Sequence, residues 1–170
     1  MKFCWRITKY TPKYRNSSGV FLNNEWTSYS DIGKTFNSIP LTYEEYERIE
    51  TLYIKAIEYF MNCHAIKSFQ IIALEKPKKI NSDIHNTSAM TDLFNNIKDN
   101  DSLPKSNLEN FCKLILRDKL WCKLIYDEKM FVHFGYDYYM YIGSSLPCKN
   151  VISAIQKDGL FVEPFESPYE

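Results

Sequence analysis

No run of the roughly 18 apolar residues that a membrane-crossing helix needs occurs anywhere in the chain. Its opening residues, Met1-Lys2-Phe3-Cys4-Trp5-Arg6, lack the apolar core of a secretion signal. Both absences predict residence in the cytoplasm. There is no Cys-x-x-Cys pair: Cys4, Cys63, Cys112, Cys122 and Cys148 are odd in number and widely spaced. That spacing supports neither a zinc site nor a thioredoxin-type motif, and no pattern calls for a metal or a cofactor. Cys112 and Cys122 fall in apolar periodic segments, where a free thiol behaves as a small hydrophobe. The cysteines therefore read as reduced thiols in a reducing compartment. Repeats and low-complexity tracts are missing too, and so is net charge, with 21 bases against 21 acids. Zero net charge removes the long-range pull by which a nucleic-acid binder finds its target.

What remains is one ordinary globular length, rich in aromatics. A chain of 170 residues fits a single domain over 1–170. It is long enough to bury a core without a disulfide or metal staple. Aromatics reach 16%, with 13 tyrosines, so the chain has either a wet-edged core or an adhesive surface, because tyrosine buries a ring while its hydroxyl seeks a polar partner. Charge is unevenly spread: Lys2, Arg6, Lys9, Lys13 and Arg15 open the chain without an acid, and Asp158, Glu163, Glu166 and Glu170 close it with no base after Lys157.

The pattern of residues predicts an α+β fold. Residues 2–9 read as a strand, since β-branched and aromatic types favour one. A long segment at about 10–41 holds turn formers, yet also Tyr14, Val20, Phe21, Leu22, Trp26, Tyr29, Ile32 and Phe36, which should pin it to the body as an ordered loop. Val20–Leu22 could form a short strand within it. Thr42 and Glu45 make a capping box for a helix over 43–62, whose Tyr46, Ile49, Tyr53, Ala56, Ile57 and Phe60 form one apolar stripe. Further strands are expected at 66–74, 120–126, 130–134, 136–142 and 160–162, and helices at 88–96, 107–118 and 147–157. This order implies a mostly antiparallel sheet with helices on one or both faces. On the 136–142 strand, Tyr139 and Tyr141 would share one face, and Tyr138 the other with Met140 and Ile142.

Four groups of residues are candidates for chemistry or contact. Gly33-Lys34-Thr35 resembles the end of a phosphate-binding loop, but position 28, where that loop needs glycine, is Ser28. His133 lies mid-strand, near Asp137 and Ser144, and with Glu25 and Asp31 it could serve a small hydrolase or nuclease if the three converged. The plainer reading is a half-exposed strand histidine. Glu25-Trp26-Thr27-Ser28-Tyr29-Ser30-Asp31 crowds polar and aromatic groups into the long loop, where turn capping alone would account for much of it. The bases of residues 5–15 interleave with Trp5, Tyr10 and Tyr14, a mixture that suits single-stranded nucleic acid or an acidic protein surface.

Taken together, these features point first to a non-catalytic protein-binding domain. An immunity protein that inhibits a bacterial toxin by occlusion is the kind of role that fits. The expected contact residues are Arg6, Tyr10, Tyr14, Arg15, Glu25, Trp26, Tyr29, Asp31, Tyr139 and Tyr141. The alternatives are the hydrolase or nuclease just described and a nucleic-acid-binding accessory protein.

Overall fold

The chain begins and ends in the same sheet. In the computed structural model, which describes residues 1–169, β1 (Phe3–Thr8) lies between β8 (Met140–Ser144) and β9 (Phe161–Pro164), antiparallel to both. Glu170, one of the tail acids named above, lies outside the described residues. The sheet continues from β8 through β7 (Met130–Phe134) and β6 (Trp121–Tyr126) to β4 (Ser68–Glu75) and the edge strand β5 (Ser102–Pro104). All seven strands pair antiparallel in the order β5-β4-β6-β7-β8-β1-β9. Two residues from each of β2 (Thr35–Phe36) and β3 (Ile39–Pro40) form a separate small ribbon.

Four helices complete an α+β domain: α1 (Tyr43–Cys63), α2 (Ser88–Asn96), α3 (Leu108–Leu116) and α4 (Lys149–Asp158). Thr42 caps α1 by accepting from the Glu45 amide at 3.2 Å, and Thr87 caps α2 by accepting from that of Met90. Each satisfies an otherwise orphaned helical N–H. Strand alternation decides what the helices cover. Trp5 and Ile7, Met130, Val132 and Phe134, and Met140 and Ile142 join one buried cluster with Tyr46, Tyr53, Phe60, Met90 and Phe111 of the helices. Arg6, Phe131, His133 and Tyr141, one residue out of phase, face the other way. The helices thus pack on one face. The chain after β9 runs over the other: the Phe165 ring lies 4.3 Å from the Arg6 guanidinium, Ser167 bonds His133 at 2.8 Å, and Tyr169 packs on Tyr141. None of the helices is long and apolar enough to cross a membrane among the described residues.

Within the 10–41 segment, Tyr10, Trp26 and Leu41 are buried in the core. Val20–Leu22 forms no strand; a single bridge joins Phe21 to Arg15. The third strand of the meander begins later than its tyrosines suggest. Residues 135–139 form the β7–β8 turn, closed by Tyr139 N–H to Tyr136 O at 3.1 Å, with Asp137 and Tyr138 both at positive φ. Alternating tyrosines imitate a strand, but here the turn geometry prevails. β5 was hidden because Ser102-Leu103-Pro104 reads as a break; Leu103 nevertheless buries fully and pairs with Phe69.

Candidate functional site: an acid-rimmed aromatic cleft

Most residues expected to meet a partner are engaged within the protein. Tyr10 is 2% exposed and donates its hydroxyl to the Asp137 carbonyl at 2.7 Å. Trp26 is buried between Tyr46 and Tyr138. Arg6 forks onto Glu163, at 3.0 Å and 3.3 Å. Arg15 lies 3.4 Å from the same carboxylate and donates to the Tyr139 hydroxyl at 2.8 Å. Tyr141 is buried under Phe165 and Tyr169, and Tyr29 donates to Asp83 at 2.8 Å. Of the ten, Tyr14 is the one left broadly exposed. Of the other interleaved bases of residues 5–15, Lys9 is engaged likewise, 4.1 Å from the rings of both Tyr10 and Trp26 and 3.2 Å from Glu25, whereas Lys13 stays exposed over the Tyr14 ring. Burial pulls Lys9 down to about 8 against the opposing pull of Glu25.

Glu25, Asp31 and His133 serve separate local structures, and no hydrogen bond links any two of them. Glu25 holds Lys9 and Asn23. Asp31 accepts from the Thr27 and Ser28 amides and pairs with Lys34 at 2.8 Å. Burial would raise its carboxyl, but those bonds hold it below the usual range. His133 stacks on Phe131 on the far face of the sheet, where burial and Lys123 bring it down to about 4. Ser144, on the helix face, bonds to His64 instead. Gly33 does take a positive φ, but Asp31 occupies the Lys34 ammonium and β2 follows at Thr35, so no helix N-terminus is available to hold phosphate there. Among the described residues, no three His, Cys, Asp or Glu side chains group as a metal ion would require.

The geometry draws attention elsewhere, to a cleft of about 730 Å³. Five segments line it: Thr27–Ser28 of the long loop, residues 75–77 at the end of β4, Ile115, Leu116 and residues 118–121 at the junction of α3 with β6, residues 134–139 from the end of β7 through the β7–β8 turn, and Tyr169. The volume is in the range that holds a small molecule or a few side chains. Trp121 and Tyr169 pack together in its wall, their ring centroids 6.2 Å apart. Tyr136 stands at its edge, 84% exposed.

Backbone strain collects at this cleft. Tyr138 has φ +61° and Asp137 φ +57°, a region that bulky residues seldom enter. The consecutive left-handed pair turns the Tyr138 ring into the core against Trp26, Tyr46 and Tyr53. Its carbonyl accepts from the Tyr53 hydroxyl at 2.6 Å, and its hydroxyl donates to that of Tyr46. Those contacts hold the strained turn and leave Tyr136 pointing out.

Asp118 has a different kind of strain. The Lys119 N–H reaches back to the Leu114 carbonyl at 2.9 Å, and the Asp118 N–H to that of Ile115 at 3.0 Å. This is the double bond of a Schellman helix end, in which the residue after the cap is left-handed and is usually glycine. Here it is Asp118, at φ +55°. An acid at a helix C-terminus also meets the negative end of the dipole. Although the residue is exposed overall, desolvation at the cleft raises its carboxyl above the usual range, with Lys119 only partly opposing. Lys119 itself is committed to Asp83 at 2.9 Å, and Lys76 to the carbonyls of Phe94 and Ile97. Among the described residues the cleft's two lysines are thus occupied, whereas Glu75, Asp118 and Asp137 make no ion pair.

Thr27, Ser28, Asp137, Tyr138 and Tyr139 of its lining stand out in the sequence, but nothing there joins them to Asp118, Trp121 or Tyr169, because the parts come from five separated segments. Asp118 was the available signal: an acid where the end of α3 calls for glycine. Comparison of the chain with known protein families, curated proteins and solved structures finds no significant match.

Proposed function

We propose that the protein is a non-catalytic protein-binding domain that takes a basic side chain of its partner into the aromatic cleft. The observation that carries this reading is Asp118. Its backbone conformation, its place at a helix C-terminus and its desolvation all work against folding, and a cation in the cleft would relieve the last two. Residues that cost stability without a structural return are characteristic of working sites. Trp121, Tyr136 and Tyr169 supply ring faces, which attract ammonium and guanidinium groups. Tyrosine, tryptophan and arginine are also the residue types that dominate protein interfaces.

A partner whose own groove is basic suits such a cleft. A bacterial toxin that acts on nucleic acid needs a groove of that kind to meet phosphates. Covering it would inhibit the toxin by occlusion, which is the role of an immunity protein. Opposite charges would speed the encounter, and the buried rings would supply affinity.

The test is a fluorescence titration of the protein with short peptides that differ only in carrying Lys and Arg or Glu. The basic peptides should bind, with affinity that falls as salt rises. Asp118→Asn should weaken them at least about tenfold, a loss of ~1.4 kcal/mol. Tyr136→Ala should act in the same direction, and neither variant should be less stable than the parent by more than ~0.5 kcal/mol. Equal binding of basic and acidic peptides, or indifference to Asp118→Asn, would sink the proposal.

A further inference from the structure

Two cysteines that lie far apart in the chain meet where two helices end. Cys63 is the last residue of α1 and is exposed. Cys148 is the buried residue just before α4, held at φ +36°. α1 and α4 pack against each other. The residue after Cys63, His64, places its Nε2 2.7 Å from the Ser144 hydroxyl, and that hydroxyl lies 3.7 Å from Cys148 Sγ. Cys63 lies close enough to Cys148 to act on its thiol. Ser144 also accepts from the Leu146 N–H at 3.0 Å and donates to the Leu146 carbonyl at 2.7 Å, which fixes the short loop leading to Cys148.

We propose that Cys63 and Cys148 are an oxidation site that closes as a reversible disulfide, with a small-molecule disulfide such as oxidised glutathione as the oxidant. The Cys63 thiolate attacks one sulfur of the oxidant. That S–S bond breaks, one small thiolate leaves, and a mixed disulfide remains on Cys63. The Cys148 thiolate then attacks the Cys63 sulfur and expels the second small thiolate. Two protein thiols are oxidised and one disulfide is reduced to two thiols. The protons lost by the cysteines end on the departing thiolates, as in any thiol–disulfide exchange.

Access sets the order of these steps. An oxidant in solution meets the exposed Cys63 first, and buried Cys148 is reached only through it. Burial first, and then the neighbouring Cys63, push the Cys148 thiol up to about 11, so direct attack from solution is disfavoured at that residue. Cys112 and Cys122 are close enough to interact as well, but both are fully buried and out of reach of the oxidant. The cross-link would tie the end of α1 to the start of α4 and constrain the unfolded chain across a long loop.

The experiment incubates the full chain in glutathione buffers of rising oxidised fraction, then digests it without reductant for peptide mass spectrometry. The expected product is a Cys63–Cys148 linked peptide that has lost two hydrogens and reverts on adding dithiothreitol. The oxidised protein should also melt at a higher temperature. Cys148→Ser should stop at a glutathione adduct on Cys63, and Cys63→Ser should leave Cys148 unmodified. A glutathione adduct on Cys63 of the unaltered protein that never resolves to the cross-link would overturn the proposal. A cross-link found only between Cys112 and Cys122 would do the same.

Discussion

Arg117 Nη2 and Glu50 Oε2 lie 2.6 Å apart, with 1% and 0% of their respective side-chain surfaces reaching solvent. The contact is a fork, since Arg117 Nε also donates to Glu50 Oε1 at 2.8 Å. Neither group is left with unmet demand. Arg117 donates further to the His85 carbonyl and the Tyr43 hydroxyl, and Glu50 accepts from the Tyr46 hydroxyl. The pair ties the middle of α1 to the end of α3, next to Asp118. The bond network from Glu50 through Tyr46 to Tyr138 continues to the β7–β8 turn. One buried pair thus braces two walls of the cleft.

Breaking that pair from one side should be severe. Glu50→Gln leaves the guanidinium buried without its countercharge and should cost about 3–5 kcal/mol in urea unfolding. Replacing both groups together, Glu50→Leu with Arg117→Met, should cost less than the sum of the single changes, because no charge is then stranded. Simple additivity in the double variant would show that the two groups stabilise the fold independently.

Asp118→Gly should make the protein more stable, by about 0.5–1 kcal/mol, because glycine takes the left-handed helix end without strain. The carboxyl is raised in the folded state, so its penalty is absent below the ordinary aspartate range and grows as pH rises through the folded value. The gain from Asp118→Gly should therefore be larger at neutral pH than in acid. A loss of stability on this change would mean that the carboxylate supports the turn, and the functional reading of Asp118 would fail.

His133 should weaken the fold in mild acid. Its folded-state value lies at about 4, below the ordinary 6.5, through burial first and then Lys123. The unfolded chain takes up the proton first as pH falls. The stability that neutral His133 supplies is therefore present above about 6.5 and is lost between there and about 4, up to ~3 kcal/mol. Subtracting the pH profile of His133→Gln from that of the parent isolates this share from His64, which burial also lowers. Parallel profiles over that range would contradict the prediction.

Gly143 and Phe131 should behave as one unit. They face each other across β7 and β8, and a Cβ built on Gly143 would come within 2.1 Å of the Phe131 ring. Gly143→Ala should cost about 1–3 kcal/mol through overpacking. The same change in a Phe131→Ala background should cost much less. Equal costs in both backgrounds, measured by denaturant unfolding, would show that the ring moves aside freely.

The sequence by itself determined the local elements. The Thr42 cap and the stripe from Tyr46 to Phe60 are periodic over a few turns, so α1 and the α+β class were legible from neighbours in the chain. Strand alternation likewise set Tyr138 apart from Tyr139 and Tyr141 without saying which side is core, and a turn displaces Tyr138 and Tyr139 from the strand. Tertiary structure alone decided which aromatics stay free. Tyr10, Trp26 and Tyr136 look equally available in the sequence, but burial depends on partners from distant segments, and only Tyr136 is left outside. The cleft was hidden for the same reason: five separated segments form it, and no local pattern records their approach. The ion pair between Glu50 and Arg117 and the meeting of Cys63 with Cys148 also had no signature in spacing. Long-range packing places each of these groups beside its partner, and that packing sets their charge, strain and access.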